Sequence, residues 1–286
     1  MFQFFANFFG LLLNLINNIV GNYGLAIILF TLIIKLLMLP LSIKQQKTLK
    51  KNAELQEKIK VLQFKYKNDP EKLNKEMIGL YKDEKMSPFS GCFSIIIQFI
   101  LLISIFYMVR FPLTYMVKLD KNQIDSYVQQ MKSDEMDVSQ AYSEIDIIRE
   151  LDYLKEKFPD DSNLEKINLN MNFLGLDLSK IPQQNLNDWT VYIIPILYII
   201  STFISMQITT KMQTKNTNKN KDVIDITENK EEKQEERNEM EDAMAQSNKM
   251  MSWMMPIMSV SISLVAPLGL ALYWLMNNIL MIAERL

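Results

Sequence analysis

Residues 21–42 read GNYGLAIILFTLIIKLLMLPLS, an apolar run with a single charge, Lys35. A bilayer core takes ~20 apolar residues of helix, because each adds ~1.5 Å toward ~30 Å. This stretch therefore predicts a membrane-spanning helix. Lys44, Lys47, Lys50 and Lys51 follow it directly, and lysine-dense short loops stay cytoplasmic.

Working outward, the same length criterion marks 89–111 and 189–210 as spans. The last apolar stretch, 250–283, is too long for one crossing. Pro267-Leu268-Gly269 combines a helix breaker with a turn residue in its middle. It divides into a short span at 250–266 and, within 267–286, a short span at 268–283 followed by a short cytoplasmic tail, which implies local thinning of the bilayer. The fold class predicted is an all-α integral membrane protein. It is a five-span helical bundle with an N-terminal interfacial helix and a cytoplasmic helical hairpin.

Charge places the loops. Residues 43–86 hold twelve lysines, so the 43–88 connector is cytoplasmic; 113–188 has eight bases against fifteen acids and belongs outside. Residues 211–249, with ten acids and eight bases, return inside as a disordered or solvated segment. The N-terminus is then outside and the C-terminus cytoplasmic. No basic region precedes the first apolar run, so no signal peptide is read. Gln3, Asn7, Gly10, Asn14 and Asn17 form a polar stripe at helical spacing, which suits an interfacial helix over 1–20. A sixth span is the alternative.

Within 43–88, Leu55, Ile59, Leu62 and Tyr66 keep helical spacing before Asn68-Asp69-Pro70. Asp69 suits an N-cap and Pro70 the first helical position. Leu73, Met77 and Leu80 then mark a returning helix. The hairpin is either a solvated tether or a basic contact surface for lipid headgroups, ribosomal RNA or a nascent chain. In the outer insert, Ile145, Ile148, Leu151 and Leu154 also keep helical spacing, in a small cap domain or a partly disordered segment. Met244, Met250, Met251, Met254, Met255 and Met258 read as core packing or as an adaptable surface for substrates.

The chain contains no histidine and one cysteine, Cys92. That removes the usual general base, the usual metal ligand and any intramolecular disulfide. No catalytic residue, metal or cofactor is assigned.

Lys35 lies nine residues before Lys44, ~13 Å deeper along a helix. A lysine at that depth costs about 2.5–3.5 kcal/mol or more. The other spans contain no Asp or Glu, and only Asp188 and Glu284 approach, at span ends. The sequence therefore predicts an ammonium without an anionic partner. It either snorkels toward the headgroups or lines a wet cavity with Thr31, Gln98, Ser104, Ser201, Ser205 and Asn277. A polar cavity admits three readings. It could receive polar peptide flanks or conduct small anions. As a Ser-Lys enzyme it would need Ser104 or Ser205 beside Lys35.

Several stretches resemble one family. Gly21-Asn22-Tyr23-Gly24 through Lys35-Leu36-Leu37-Met38-Leu39-Pro40-Leu41 is similar to the first core span of the YidC (Oxa-type) membrane protein insertases. Residues 88–98, PFSGCFSIIIQ, and 172–178, NFLGLDL, resemble the approaches to the next two spans. Met254-Met255-Pro256-Ile257-Met258, Pro267 to Trp274 and Asn277-Asn278 resemble the end. Ser94 stands where proline is common, and Lys35 where arginine is usual.

The resemblance, to the Gram-positive five-span type, implies a hydrophilic groove open to the cytoplasm and lipid but closed outside. Lys35, Gln98, Trp274, Thr31, Tyr273 and Asn277 are its candidate lining. It implies insertion of nascent membrane proteins into a bacterial plasma membrane, by a monomer working alone or with a Sec translocon. A ribosome and anionic lipid headgroups are further partners implied, and DNA is not.

Overall fold

The computed structural model describes residues 2–66, 69–84, 90–167, 169–220 and 260–285. Helix α1 spans Phe2–Val20 and α2 spans Tyr23–Lys65. Between them Gly21 adopts φ 66°, and the Asn22 side chain caps α2 by accepting from the Leu25 amide at 3.1 Å. One continuous helix runs through the boundary expected at 42/43. Pro40 lies inside it and has no N–H to give the Leu36 carbonyl.

Three helical stretches among the described residues are long and apolar enough to cross a membrane: Phe2–Val20, Tyr23–Thr48 and Trp189–Ile208. Phe99–Arg110 is a shorter apolar helix, the end of α4 (Ser90–Arg110). The described elements are helical apart from one two-stranded hairpin, so the chain is an all-α integral membrane protein.

The chain divides into two units. One comprises residues 38–98 and 204–257. In it the second half of α2 is followed by α3, Pro70–Asp83, with Asp69 as N-cap accepting from the Lys72 amide at 3.0 Å. Lys58 of α2 pairs with Glu84 just beyond α3, so the chain folds back as a hairpin. Leu55 and Ile59 are its buried seam. The methionine cluster at 244–258 and most of 211–249 lie outside the described residues.

The other unit comprises residues 1–37, 99–203 and 258–286. Here α1 packs on α2 through Phe9 and Phe30, edge to face at 5.9 Å. It also packs on a π-helical turn, Leu113–Val117, that follows α4. Gly10 permits that approach, since a Cβ there would lie 2.2 Å from the Tyr115 carbonyl oxygen. Gly10 and Asn17 of the polar stripe are thus turned inward. Phe4, Phe8, Leu11, Leu15 and Ile19 make the exposed face.

The insert after α4 is folded. Helices α5 (Lys121–Ser133), α6 (Ser143–Arg149), α7 (Leu151–Lys157) and α8 (Ser162–Glu165) share a core that includes Ile124, Tyr127, Met131, Ile145, Ile148, Leu154 and Leu164. The spacing over 145–154 belongs to two short helices that meet at Glu150.

Buried Glu144 ties the insert to the π turn, accepting from the Thr114 amide at 3.0 Å and hydroxyl at 2.6 Å. Burial pushes its carboxyl above the ordinary value, against the opposing effect of these two bonds and of the Leu113 backbone amide. Asp146 is also buried and accepts from the Ser139 amide at 2.7 Å and pairs with Arg149 at 2.9 Å.

Strands β1 (Asn172–Phe173) and β2 (Leu176–Asp177) form a hairpin whose turn, Leu174-Gly175, has φ 52° and 80°. Positive φ at both turn residues matches strand twist in two-residue hairpins. The chain continues through two 3₁₀ turns, Pro182–Gln184 and Trp189–Tyr192, into α9 (Ile193–Asn220). After helical residues 260–265 comes α10, Leu268–Arg285.

Candidate functional site

Helix starts carry amide groups without intrahelical partners. The segment 170–180 supplies partners to two of them. The Tyr23 amide donates to the Asn170 carbonyl at 3.0 Å, and Asn22 Nδ2 donates to the Asn172 carbonyl at 2.6 Å. The Leu268 and Gly269 amides donate to the Lys180 and Leu178 carbonyls, both at 2.9 Å. A Cβ on Gly24 would lie 2.4 Å from the Phe173 ring, so the hairpin rests directly on α2. A Cβ on Gly269 would lie 3.3 Å from the Tyr23 ring. One folded segment thus fixes the starts of α2 and α10 beside each other.

It is braced internally: Lys180 Nζ pairs with Asp188 at 2.8 Å. Asp188 also accepts from the Thr190 amide at 3.0 Å. These donors hold its carboxyl down to about 2.

With their starts level, α2 and α10 run in the same direction. Lys35 lies twelve residues after Tyr23, ~18 Å of helix, and Glu284 fifteen after Gly269, ~22 Å. The two residues meet: Lys35 Nζ lies 3.9 Å from Glu284 Oε2, the side chains 22% and 11% exposed. This corrects the expectation of an ammonium without an anion. Glu284 stands at the far end of the last span, and α10 runs beside α2 until that end reaches the level of Lys35. At 3.9 Å the contact is an ion pair longer than a hydrogen bond.

Thr31 sits one turn before Lys35, buried, its hydroxyl donating to its own helix at the Ile27 carbonyl, 2.6 Å away. Ser104 and Ser201 are likewise buried and donate to the Ile100 and Tyr198 carbonyls. The Trp274 ring packs on Tyr198 of α9 at 6.0 Å. Tyr273 is buried in the core and Asn277 is half-buried. The side chain of Gln98 lies outside the described residues.

Asn278, one residue from the predicted Asn277, makes a polar contact between α9 and α10. Its Nδ2 donates to Thr202 Oγ1 at 2.8 Å and Ser201 Oγ at 3.4 Å. The structure therefore joins Lys35 with Glu284 and, separately, Trp274 and Asn278 with α9. Glu284 and Asn278 are the residues that sequence reasoning missed; Asn278 lay in the quoted Asn277-Asn278 pair.

The family model described as 60Kd inner membrane protein matches residues 15–286. A protein from Caldanaerobacter subterraneus subsp. tengcongensis named Membrane protein insertase YidC is 44% identical over 105 residues, 37% of this chain and 51% of that protein. Another of the same name, from Francisella tularensis subsp. novicida, is 45% identical over 107 residues, 37% of this chain and 19% of that protein. The chain spans about half the length, or less, of these curated relatives. With a family model matched over nearly the whole sequence and apolar helices of spanning length, this chain is a bacterial membrane protein and belongs to the 60Kd inner membrane protein family, that of the YidC (Oxa-type) proteins.

Proposed function

We infer that this chain inserts nascent membrane proteins by lowering the cost of carrying their polar flanks into the bilayer. Lys35, paired loosely with Glu284, carries the reading. A lysine that has already met a carboxylate at this depth can exchange it for a substrate's. The proposed orientation sets the 170–192 segment outside and Glu284 toward the cytoplasm. Water then reaches Lys35 from the cytoplasmic side of a groove.

An acidic flank enters this groove, displaces Glu284 from the ammonium, and the attached apolar segment leaves past α9 and α10 into lipid. Burial of that segment supplies the driving force, on a scale of ~25 cal/mol per Å². Membrane potential adds ~2.3 kcal/mol per charge per 100 mV to acidic flanks moving outward. No covalent bond changes, so the process needs no cofactor. Helix α10, with 18 residues, covers ~27 Å, short of an average ~30 Å core. That favours a thinned membrane beside the groove.

The lysines of the α2–α3 hairpin supply a basic surface where the nascent chain first arrives, with its ribosome, a Sec translocon and anionic headgroups as neighbours. The test is insertion by reconstituted protein. Lys35→Glu should reduce insertion of acidic-flanked single-span substrates tenfold or more, and Lys35→Arg should preserve it. Normal insertion by Lys35→Glu rejects the groove electrostatics.

A further inference from the structure

The 170–192 segment carries three large apolar side chains in the open: Leu174 at the hairpin tip, Leu186 and Trp189, exposed by 86%, 68% and 73%. All three belong to one folded piece. Strand β2 packs beside the turn that begins at Trp189, Lys180 bridges to Asp188, and Asn185 donates to the Ile181 carbonyl. Leu174 also stands in the left-handed region, φ 52°, where a side chain with a Cβ is strained and Asn or Gly is favoured. A strained, nearly fully exposed leucine contributes little to this fold. Its value lies in what it meets.

Position identifies that neighbour. The piece bonds to the first residues of α2 and α10 and leads without a break into α9. Two of these helices contribute stretches long and apolar enough to cross a membrane, and the one that runs into α9 begins at Trp189, in the 3₁₀ turn before it. The hairpin thus lies at the level where spans enter the bilayer. Tryptophan is enriched there because its ring is apolar and its N–H polar. Between the apolar residues stand Gln183, Gln184 and Asn187, exposed and uncharged, which suits a hydrated headgroup layer.

We propose that Leu174, Leu186 and Trp189 dip into the headgroup–acyl boundary of the bilayer and seat the 170–192 segment on it. The segment that aligns α2 with α10 is thereby held at a fixed depth. This proposal stands apart from the insertion reading, because it requires only that α2 and α9 cross a membrane.

The test uses the full chain with Cys92→Ser, reconstituted in phosphatidylcholine–phosphatidylglycerol vesicles. An environment-sensitive fluorophore is attached at Leu174→Cys, at Leu186→Cys or, as an aqueous control, at exposed Asp160→Cys. Lipids with a nitroxide near the headgroup should quench positions 174 and 186 about threefold more than 160, with iodide showing the reverse order. Equal iodide quenching at all three positions overturns the proposal. Protection from both quenchers also overturns it, since a protein would then cover the surface. Leu174→Asn, which suits the turn, should preserve stability in detergent yet expose position 186 to iodide. Unchanged protection at 186 in that variant counts against the tip as an anchor.

Discussion

Lys35 and Glu284 face one another at 3.9 Å although 249 positions separate them in the chain. Their meeting depends on α2 and α10 starting together and descending side by side. The pair is long for an ion pair and partly open, so a competing carboxylate can replace Glu284. Glu284→Gln should therefore raise the insertion of acidic-flanked substrates about threefold, within the range of 1 kcal/mol competition. Neutral-flanked substrates should be unaffected. The check is a protease-protection assay on proteoliposomes with matched substrates.

The Asn278–Thr202 bond is expected to stabilise the α9–α10 contact by about 0.6 kcal/mol, with ~1.7 as an upper bound. Asn278→Ala should lower stability by this amount. Asn277→Ala, whose side chain is half-buried, should cost less. A double-mutant cycle with Thr202→Val in detergent isolates the coupling.

Sequence reasoning found helices where α4, α9, α10 and the first half of α2 lie, and the Asp69–Pro70 start of α3, because length, apolarity and capping chemistry are local; that α2 runs on past 42 to Lys65 it did not foresee. It could not pair Lys35 with Glu284. Their common depth is set by backbone bonds to the carbonyls of Asn170, Leu178 and Lys180, and backbone groups leave no mark on side-chain pattern. Nor could it choose between Asn277 and Asn278. Adjacent residues differ by ~100° around a helix, and only the position of α9 decides which one it meets. The insert left two readings open because its core is assembled from short helices. Its periodicity stops at Glu150.

Glu144 should make the stability of the insert depend on pH. Burial raises its folded-state value above the unfolded one, so the native state binds the proton more tightly. Its contribution is fully present below the unfolded value and is lost as pH rises through the folded one. Glu144→Gln removes this titration while its oxygen still accepts from the Thr114 amide and its Nε2 donates in turn to the Thr114 hydroxyl. Its melting temperature relative to the parent should increase between pH 4 and pH 7, in full-length protein carrying a fluorescent reporter in the insert.

Close packing at Gly10 has no room to yield, because the neighbour is the Tyr115 backbone. Gly10→Ala should destabilise by about 1–3 kcal/mol, the range for overpacking. At Gly79, in α3, an added Cβ meets nothing within 4 Å. Gly79→Ala should stabilise by up to about 1 kcal/mol through helix propensity. Thermal unfolding of the two variants separates packing from propensity.

Site-specific photocrosslinking to ribosome-bound nascent chains from position 35, carrying a photoreactive lysine analogue that keeps the ammonium, tests the groove most directly. A substrate adduct is predicted, stronger for acidic flanks than for neutral ones and stronger again when Glu284 is replaced by Gln. Adducts with lipid alone, from protein that is folded and inserted, contradict the account.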